Sequence, residues 1–267
     1  MIQKTLAACL VLASVAFPPL SGVRAEESLA GVDLTSAEMT QAELTRDEVE
    51  AILAAAAPGK PADFSSKRLS GLDLSGLDFS GAILRSTRLN ASKLVGANLQ
   101  NAVLDQAWLL KADLTDANLK GAHLFQAQAQ GARLDGADLS GALVSSNLTK
   151  ASLRGAKFVG ADLSADMRNQ SMGLMRGVLR SADLRGADFT GANLSRTDFE
   201  FALLQGANLT DANLMSATLG GADLTGSTVT GANFNNADVN SATLKNLTGE
   251  TDSNLTKAAN LTRAFRD

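Results

Sequence analysis

The chain has no tyrosine, one histidine (His123), one cysteine (Cys9) and one tryptophan (Trp108). Each scarcity removes a class of chemistry. A lone histidine with no cysteine near it cannot assemble the ligand set of a zinc site. Cys9 lies in the leader described below, so the mature chain carries no thiol chemistry and no disulfide, even in an oxidising compartment. No nucleophile, base and orienting group can be combined from what remains, and no glycine-rich phosphate loop is present. Neither a cofactor, a metal nor an enzymatic reaction is expected. The N-terminal apolar run, Leu6 to Phe17, is too short to span a bilayer. A strong charge of one sign is missing too: 24 basic against 28 acidic residues give −4. Removing Lys4 and Arg24 with the leader leaves 22 against 28, or −6. That mixed, mildly acidic balance opposes nucleic-acid binding, which wants a basic face.

What the chain has in abundance is one rhythm. Between Phe64 and Leu244 a large apolar residue returns every five positions, with a small residue two places before it, as in Ala112-Asp113-Leu114-Thr115-Asp116-Ala117-Asn118-Leu119. Five is neither the helical nor the strand period. The small and the large residue share one face, as strand geometry requires, and the next small residue follows after three positions. The chain must therefore turn once per five residues. Four such corners close a roughly square coil of about twenty residues, and stacked coils sit about 4.8 Å apart.

This A-(D/N)-L-x-x pattern resembles the pentapeptide-repeat family over roughly residues 62–245. The resemblance implies an all-β fold, a right-handed quadrilateral β-helix, here of about nine coils. It implies little about function, because a solenoid is a scaffold on which sites are placed.

Leu and Phe fill the inside, each stabilising by roughly 1.5–3 kcal/mol when fully buried. Glycine recurs two places after the central residue, as at Gly71, Gly76 and Gly121, where a corner favours it. Lys67, Thr87 and Ser92 replace the small residue and are expected to weaken the first coils, and Ala129 at a central position leaves space. The carboxylates, gathered at one repeat position, read as surface solvation.

The ends depart from the rhythm. Residues 1–25 read as a secretory signal: Lys4, the apolar run, and Val23-Arg24-Ala25 as a cleavage site, with the mature chain starting near Glu26. Leu6-Ala7-Ala8-Cys9 resembles a lipoprotein box but stands too early in the run. Residues 26–61 form a preface in which Val32-Asp33-Leu34, Ala37-Glu38-Met39 and Ala42-Glu43-Leu44 echo the repeat. Thr45-Arg46-Asp47-Glu48 is a capping box, and its helix is expected to run to about Ala57 and to lie over the first coil. In residues 246–267 the pattern fades, leaving Leu255, Leu261 and Phe265 to cap the last coil or to seal a homodimer through that terminus. One residue is missing between Val144 and Leu148. The phase returns through Ser164 to Gly173, a stretch with Asp166, Met167, Arg168, Asn169 and Met172 that reads as a bulge of one added residue rather than a functional loop.

Indexing by twenty sorts the outward residues into columns. The first face reads Asp63, Ile83, Val103, His123, Leu143, and the second Arg68, Arg88, Trp108, Gln128. The third reads Asp73, Lys93, Asp113, Arg133, and the fourth Asp78, Asn98, Asn118, Asp138. Leu110 and Phe125 follow central residues on the second and first faces. The second block reads as polar outside almost throughout, including Asn193, Asn213 and Asn233, so an Asn213→Asp exchange is expected to be nearly silent. Ile83, Val103, Trp108, Leu110, His123, Phe125 and Leu143 therefore form the candidate strip for a protein partner of unknown identity, since apolar patches rimmed by polar residues mark interfaces. The competing reading is that they pack along the sheet or under the preface.

These features point to a non-enzymatic scaffold, periplasmic or secreted, that acts through protein contacts. A DNA-mimic protein that protects or inhibits topoisomerase, a role that the family resemblance implies for some members, would need a dense acidic face, which Arg85, Arg88, Lys93, Lys120 and Arg133 interrupt. A carbohydrate-binding or hydrolytic β-helix, with its site in the methionine-containing break, is the third alternative.

Overall fold

The computed structural model describes residues 29, 31–165 and 175–267. The chain divides into Met1–Val32 and Asp33–Asp267. In the first unit the Val32 amide donates to the Leu29 carbonyl at 3.1 Å. The expected leader lies outside the described residues, as do Asp166, Met167, Arg168, Asn169 and Met172.

The second unit is a four-sided β-helix, and its corners follow from one turn used repeatedly. At Leu94 the carbonyl accepts from the Ala97 amide at 3.0 Å, with Gly96 between them at φ +61°. A positive φ at the third residue is what a type II turn demands. Where glycine is absent, residues such as Asn101, Asp116 and Ser86 take the same conformation at φ 54–56°. The Asp or Asn before each central residue secures the next corner. Its Oδ1 accepts the amide two residues on, as in Asp63 to Ser65 (2.8 Å), Asp78 to Ser80 (3.0 Å) and Asn213 to Met215 (3.2 Å). These side chains are thus turn locks and not surface solvation alone.

Successive coils join through single parallel bridges on each face. The Leu69 amide donates to the Arg88 carbonyl at 2.7 Å, and the Arg88 amide to the Lys67 carbonyl at 2.8 Å. Bridges then link Asp63, Ile83, Val103, His123 and Leu143 into one column and Arg68, Arg88, Trp108 and Gln128 into the next. Inside, the central residues and their small partners are almost wholly buried. Phe158 and Phe189, on adjacent coils, stack with centroids 4.8 Å apart, the spacing of the coils themselves.

Most hydroxyls that intrude on this interior are satisfied, that of Ser146 excepted. Thr87 Oγ1 donates to the Phe64 carbonyl at 2.7 Å, Ser92 Oγ to Leu89 at 2.8 Å, and Ser227 Oγ to Leu204 at 2.7 Å. A hydrogen bond offsets most of the cost of burying a hydroxyl, which moderates the expected weakening of the first coils. Lys67 stays exposed, with Nζ 3.7 Å from Glu43.

Both ends are covered. A short helix α1 (Ala37–Thr40) precedes α2 (Arg46–Ala54), whose capping box is present in both directions. α2 stops three residues before the expected Ala57 and gives way to a turn closed by Ala57 and Lys60. Val49 is fully buried in the same core as Phe64 and Leu69. Ala42-Glu43-Leu44 is a partial rung, because the Glu43 amide donates to the Arg68 carbonyl at 2.8 Å. At the other end, three 3-10 turns continue the coil at a looser step, with Ala259 bridging Asp238 and Phe265 bridging Thr243. Leu255 is buried beneath them, while Phe265 is 59% exposed.

The break differs from expectation. Bridges that up to Asn118–Asp138 and His123–Leu143 join residues twenty apart become nineteen apart from Gln128–Asn147 to Leu143–Asp162, and thirty-one apart from Asn147–Val178 to Asp162–Asn193. The second irregularity is therefore an insertion of eleven residues at the corner between the first and second faces, not a one-residue bulge. The apolar period misled because eleven residues are two repeats plus one, so the later rhythm returns in nearly the old phase. Its base is tied: Gly177 N donates to the Leu163 carbonyl at 2.9 Å, and a Cβ on Gly177 would lie 3.0 Å from that oxygen.

Candidate partner-binding surface

The corner turns aim the residue before each central Leu outward, and the parallel bridges stack those residues rung on rung. Ile83, Val103, His123 and Leu143 thus occupy four consecutive rungs of the first face, and Phe125 lies beside His123 just past Leu124. Trp108 sits between Arg88 and Gln128 on the second face, with Leu110 two residues on. Ile83, Val103, Trp108, Leu110 and Phe125 are half-buried, His123 is exposed, and Leu143 is 44% exposed. None is core.

The preface reaches the near end of the second face and, through Arg46, whose Nη1 donates to the Asp73 carbonyl at 2.7 Å, the near end of the third. Glu38 pairs with Arg88, the Asn90 Nδ2 donates to the Met39 carbonyl at 3.1 Å, and Glu43 lies 3.6 Å from Arg68. A corner of amides separates the two apolar columns: Ser86 Oγ donates to Gln106 Oε1 and Gln106 Nε2 to Gln126 Oε1, each at 3.3 Å. Gln126 also donates to the Met175 sulfur at 3.2 Å, which brings the outgoing end of the insertion to this corner.

Two features escape the repeat pattern. The second block is not polar throughout: Phe201 is 61% exposed, and Leu203 and Met215 are 38% exposed. Phe201 occupies a corner position at φ +58°, unusual for a bulky side chain, with its ring against Gly221. An aromatic where the repeat wants glycine was the available signal. The second is a part-buried charge cluster at the return of the insertion. Asp198 accepts from Arg180 Nε at 2.9 Å and lies 3.3 Å from Arg176, while Arg180 also pairs with Glu200 at 2.6 Å. Arg180 lies one coil from Asp198 and Glu200 and could be placed by counting, whereas Arg176, at the return of the insertion, could not.

Elsewhere the exterior is neutralised across rungs, as in Lys93 with Asp73 (3.7 Å) and Arg133 with Asp113 (3.5 Å). Several of the turn-locking carboxyls, Asp63, Asp73, Asp78 and Asp183 among them, titrate low. The Ser65 and Ser75 hydroxyls, and then their amides, hold Asp63 and Asp73 below the ordinary carboxylate value. At Asp183 the Arg185 side chain is the main cause. Among the described residues no cluster of three or more metal-ligating side chains occurs, and no helix is long and apolar enough to cross a membrane.

The family model for pentapeptide repeats matches in eight copies, over residues 62–165 and 178–246, and leaves a gap where the insertion lies. The chain belongs to the pentapeptide-repeat family. HetL, a pentapeptide repeat protein involved in heterocyst differentiation regulation in the cyanobacterium Nostoc sp. strain PCC 7120, is 31% identical. That match covers 80% of this chain and 96% of HetL, with a TM-score of 0.44. QnrB1, a plasmid-mediated fluoroquinolone resistance protein, is 18% identical over 75% of this chain and 93% of its own, with a TM-score of 0.43. Rfr23 from the cyanobacterium Cyanothece 51142 is 30% identical over 45% of this chain and 64% of its own, with a TM-score of 0.15. No curated protein sequence matches. Membership of this family assigns a repeat scaffold of quadrilateral β-helical type.

Proposed function

We propose that this pentapeptide-repeat protein is a non-enzymatic scaffold of the periplasm or the secreted fraction, binding a protein partner through the first and second faces of its first block. The observation that carries the reading is the column Ile83, Val103, His123 and Leu143, held on a flat parallel ladder with Trp108 and Phe125 beside it and no core role to explain it. Aromatic and aliphatic side chains set among amides and arginines are the usual anchors of an interface. Acids paired across rungs, as at Asp73 and Asp113, support this over a duplex-mimicking acidic face. The signal-like start of the chain supports export.

The test is in-cell photo-crosslinking from position 103, with position 213 as control. A discrete adduct from 103 alone is expected, and its mass identifies the partner; equal adducts or none from both positions would refute the assignment. Fractionation of the same cells is expected to place the protein outside the cytoplasm, and recovery in the cytosol would overturn the export half.

A further inference from the structure

Spacing along the first face says more than that something binds there. Four rungs, Ile83 to Leu143, rise three coil steps, and the coil step is the 4.8 Å at which Phe158 and Phe189 stack. The column is thus about 14 Å long. A partner laid along the solenoid axis must place a side chain opposite each step, apolar at every rung but that of His123. A helix with its contact residues at i, i+3, i+7 and i+10 covers about 15 Å and keeps them within about an 80° arc. An extended strand repeats its same-side residues every 6.6–6.8 Å, so three steps need about 20 Å. That strand would be out of register by more than one rung before the column ends.

The column also has marked ends. Asp63 precedes Ile83 and Asp162 follows Leu143 on the same bridged face, each with one carboxylate oxygen held by a turn amide, Ser65 at 2.8 Å and Ser164 at 2.9 Å. The apolar stretch is therefore bracketed by carboxylates. We infer that the partner docks an amphipathic α-helix of about three turns along this column, with basic residues just beyond each end of its apolar stripe and a polar side chain opposite His123. This rests on the reading that the first face binds a protein.

The test places a photo-reactive residue singly at positions 83, 103, 123 and 143 of the full chain in cells, and maps each attachment point on the partner by mass spectrometry. One rung corresponds to about 3.2 helical residues, so the attachment point is expected to move by three or four residues per rung. A step of one or two residues means an extended segment and overturns the helix. So do attachment points scattered across distant parts of the partner, or adducts to a second copy of this chain. Absence of adducts from all four positions overturns the underlying reading as well, which separates the two failures. Asp63→Asn with Asp162→Asn keeps both turn acceptors and removes both charges. It is expected to lower the adduct yield from position 103 several-fold, and an unchanged yield would exclude the basic flanks.

Discussion

The first block (Phe64 to Val144) and the second (Leu179 to Leu244) share one interior and differ outside. In both, Leu or Phe alternates with a small residue at near-zero exposure. On the first face, however, the first block carries Ile83, Val103, His123 and Leu143, whereas the second carries Asn193, Asn213 and Asn233. The asparagines bond along the column, Asn213 Nδ2 to Asn193 Oδ1 at 3.4 Å and Asn233 Nδ2 to Asn213 Oδ1 at 3.0 Å. One block satisfies its outer column with itself; the other leaves apolar groups facing water. The repeat constrains the inside and the corners, and the outward positions are free to encode recognition.

The largest effect should show no difference between the blocks. Leu114→Asp and Leu209→Asp each place an unpaired carboxylate in a dry column. Each is expected to lower stability by more than about 3 kcal/mol, read as a loss of Tm by circular dichroism. A mild effect in one block alone would mean that the interiors are not equivalent.

Corners come next. Gly76 and Gly206 lie at φ +71° and +66°, and a Cβ added at either would meet nothing within 4 Å. Gly76→Ala and Gly206→Ala should therefore each cost about 1 kcal/mol from backbone strain alone. Phe201→Gly has the opposite sign, a gain of up to about 1 kcal/mol, because an exposed ring gives up an unfavourable φ. Denaturant midpoints check both, and a loss at Phe201→Gly would mean that the ring's contact with Gly221 outweighs the strain.

Smaller still is Asn213→Asp. From the surface pattern it is nearly silent, but the column gives Asn213 both a donor and an acceptor role. Replacing the donor by a carboxylate facing Asn193 Oδ1 should cost about 0.5–1.5 kcal/mol, and the cost should shrink in acid as the carboxyl regains a proton. No measurable change in midpoint would return Asn213 to the status of plain surface.

Acid provides the finest contrast. Asp63, Asp73 and Asp78 titrate lower folded than they would unfolded, chiefly through the Ser65, Ser75 and Ser80 hydroxyls. The unfolded chain therefore binds more protons between the two values. The stabilisation is complete above the unfolded carboxylate value, near 4, and is lost as pH falls through the lowered folded values. Protection of the Ser65, Ser75 and Ser80 amides from hydrogen exchange should decline there relative to Ser195, Met215 and Asn235, whose acceptors are the asparagines Asn193, Asn213 and Asn233. Parallel decline in both sets would show that the turn carboxyls are not the acid-sensitive groups.

Much of this protein was legible in one dimension because the solenoid is nearly one-dimensional. A residue's face and rung depend only on its place in the count, so Val103 and His123 could be stacked, and Leu114 buried, by arithmetic on the sequence. The capping box at Thr45 to Glu48 was equally local, since its groups are three residues apart. Counting failed wherever the chain left the ladder. An eleven-residue excursion mimicked a one-residue slip, and the approach of Arg176 to Asp198 depended on how the excursion returned. The seating of Glu43 on Arg68 and Val49 on the core, like the looser last coil under Leu255, needed contacts between segments without a shared period. The order of residues was thus enough to specify the coil, its interior and the composition of each face, because those follow from periodicity and burial. How α2 seats on the first coil, how the looser last coil closes over Leu255 and where Arg176 meets Asp198 were decided in three dimensions, because non-repeating segments have no count to place them.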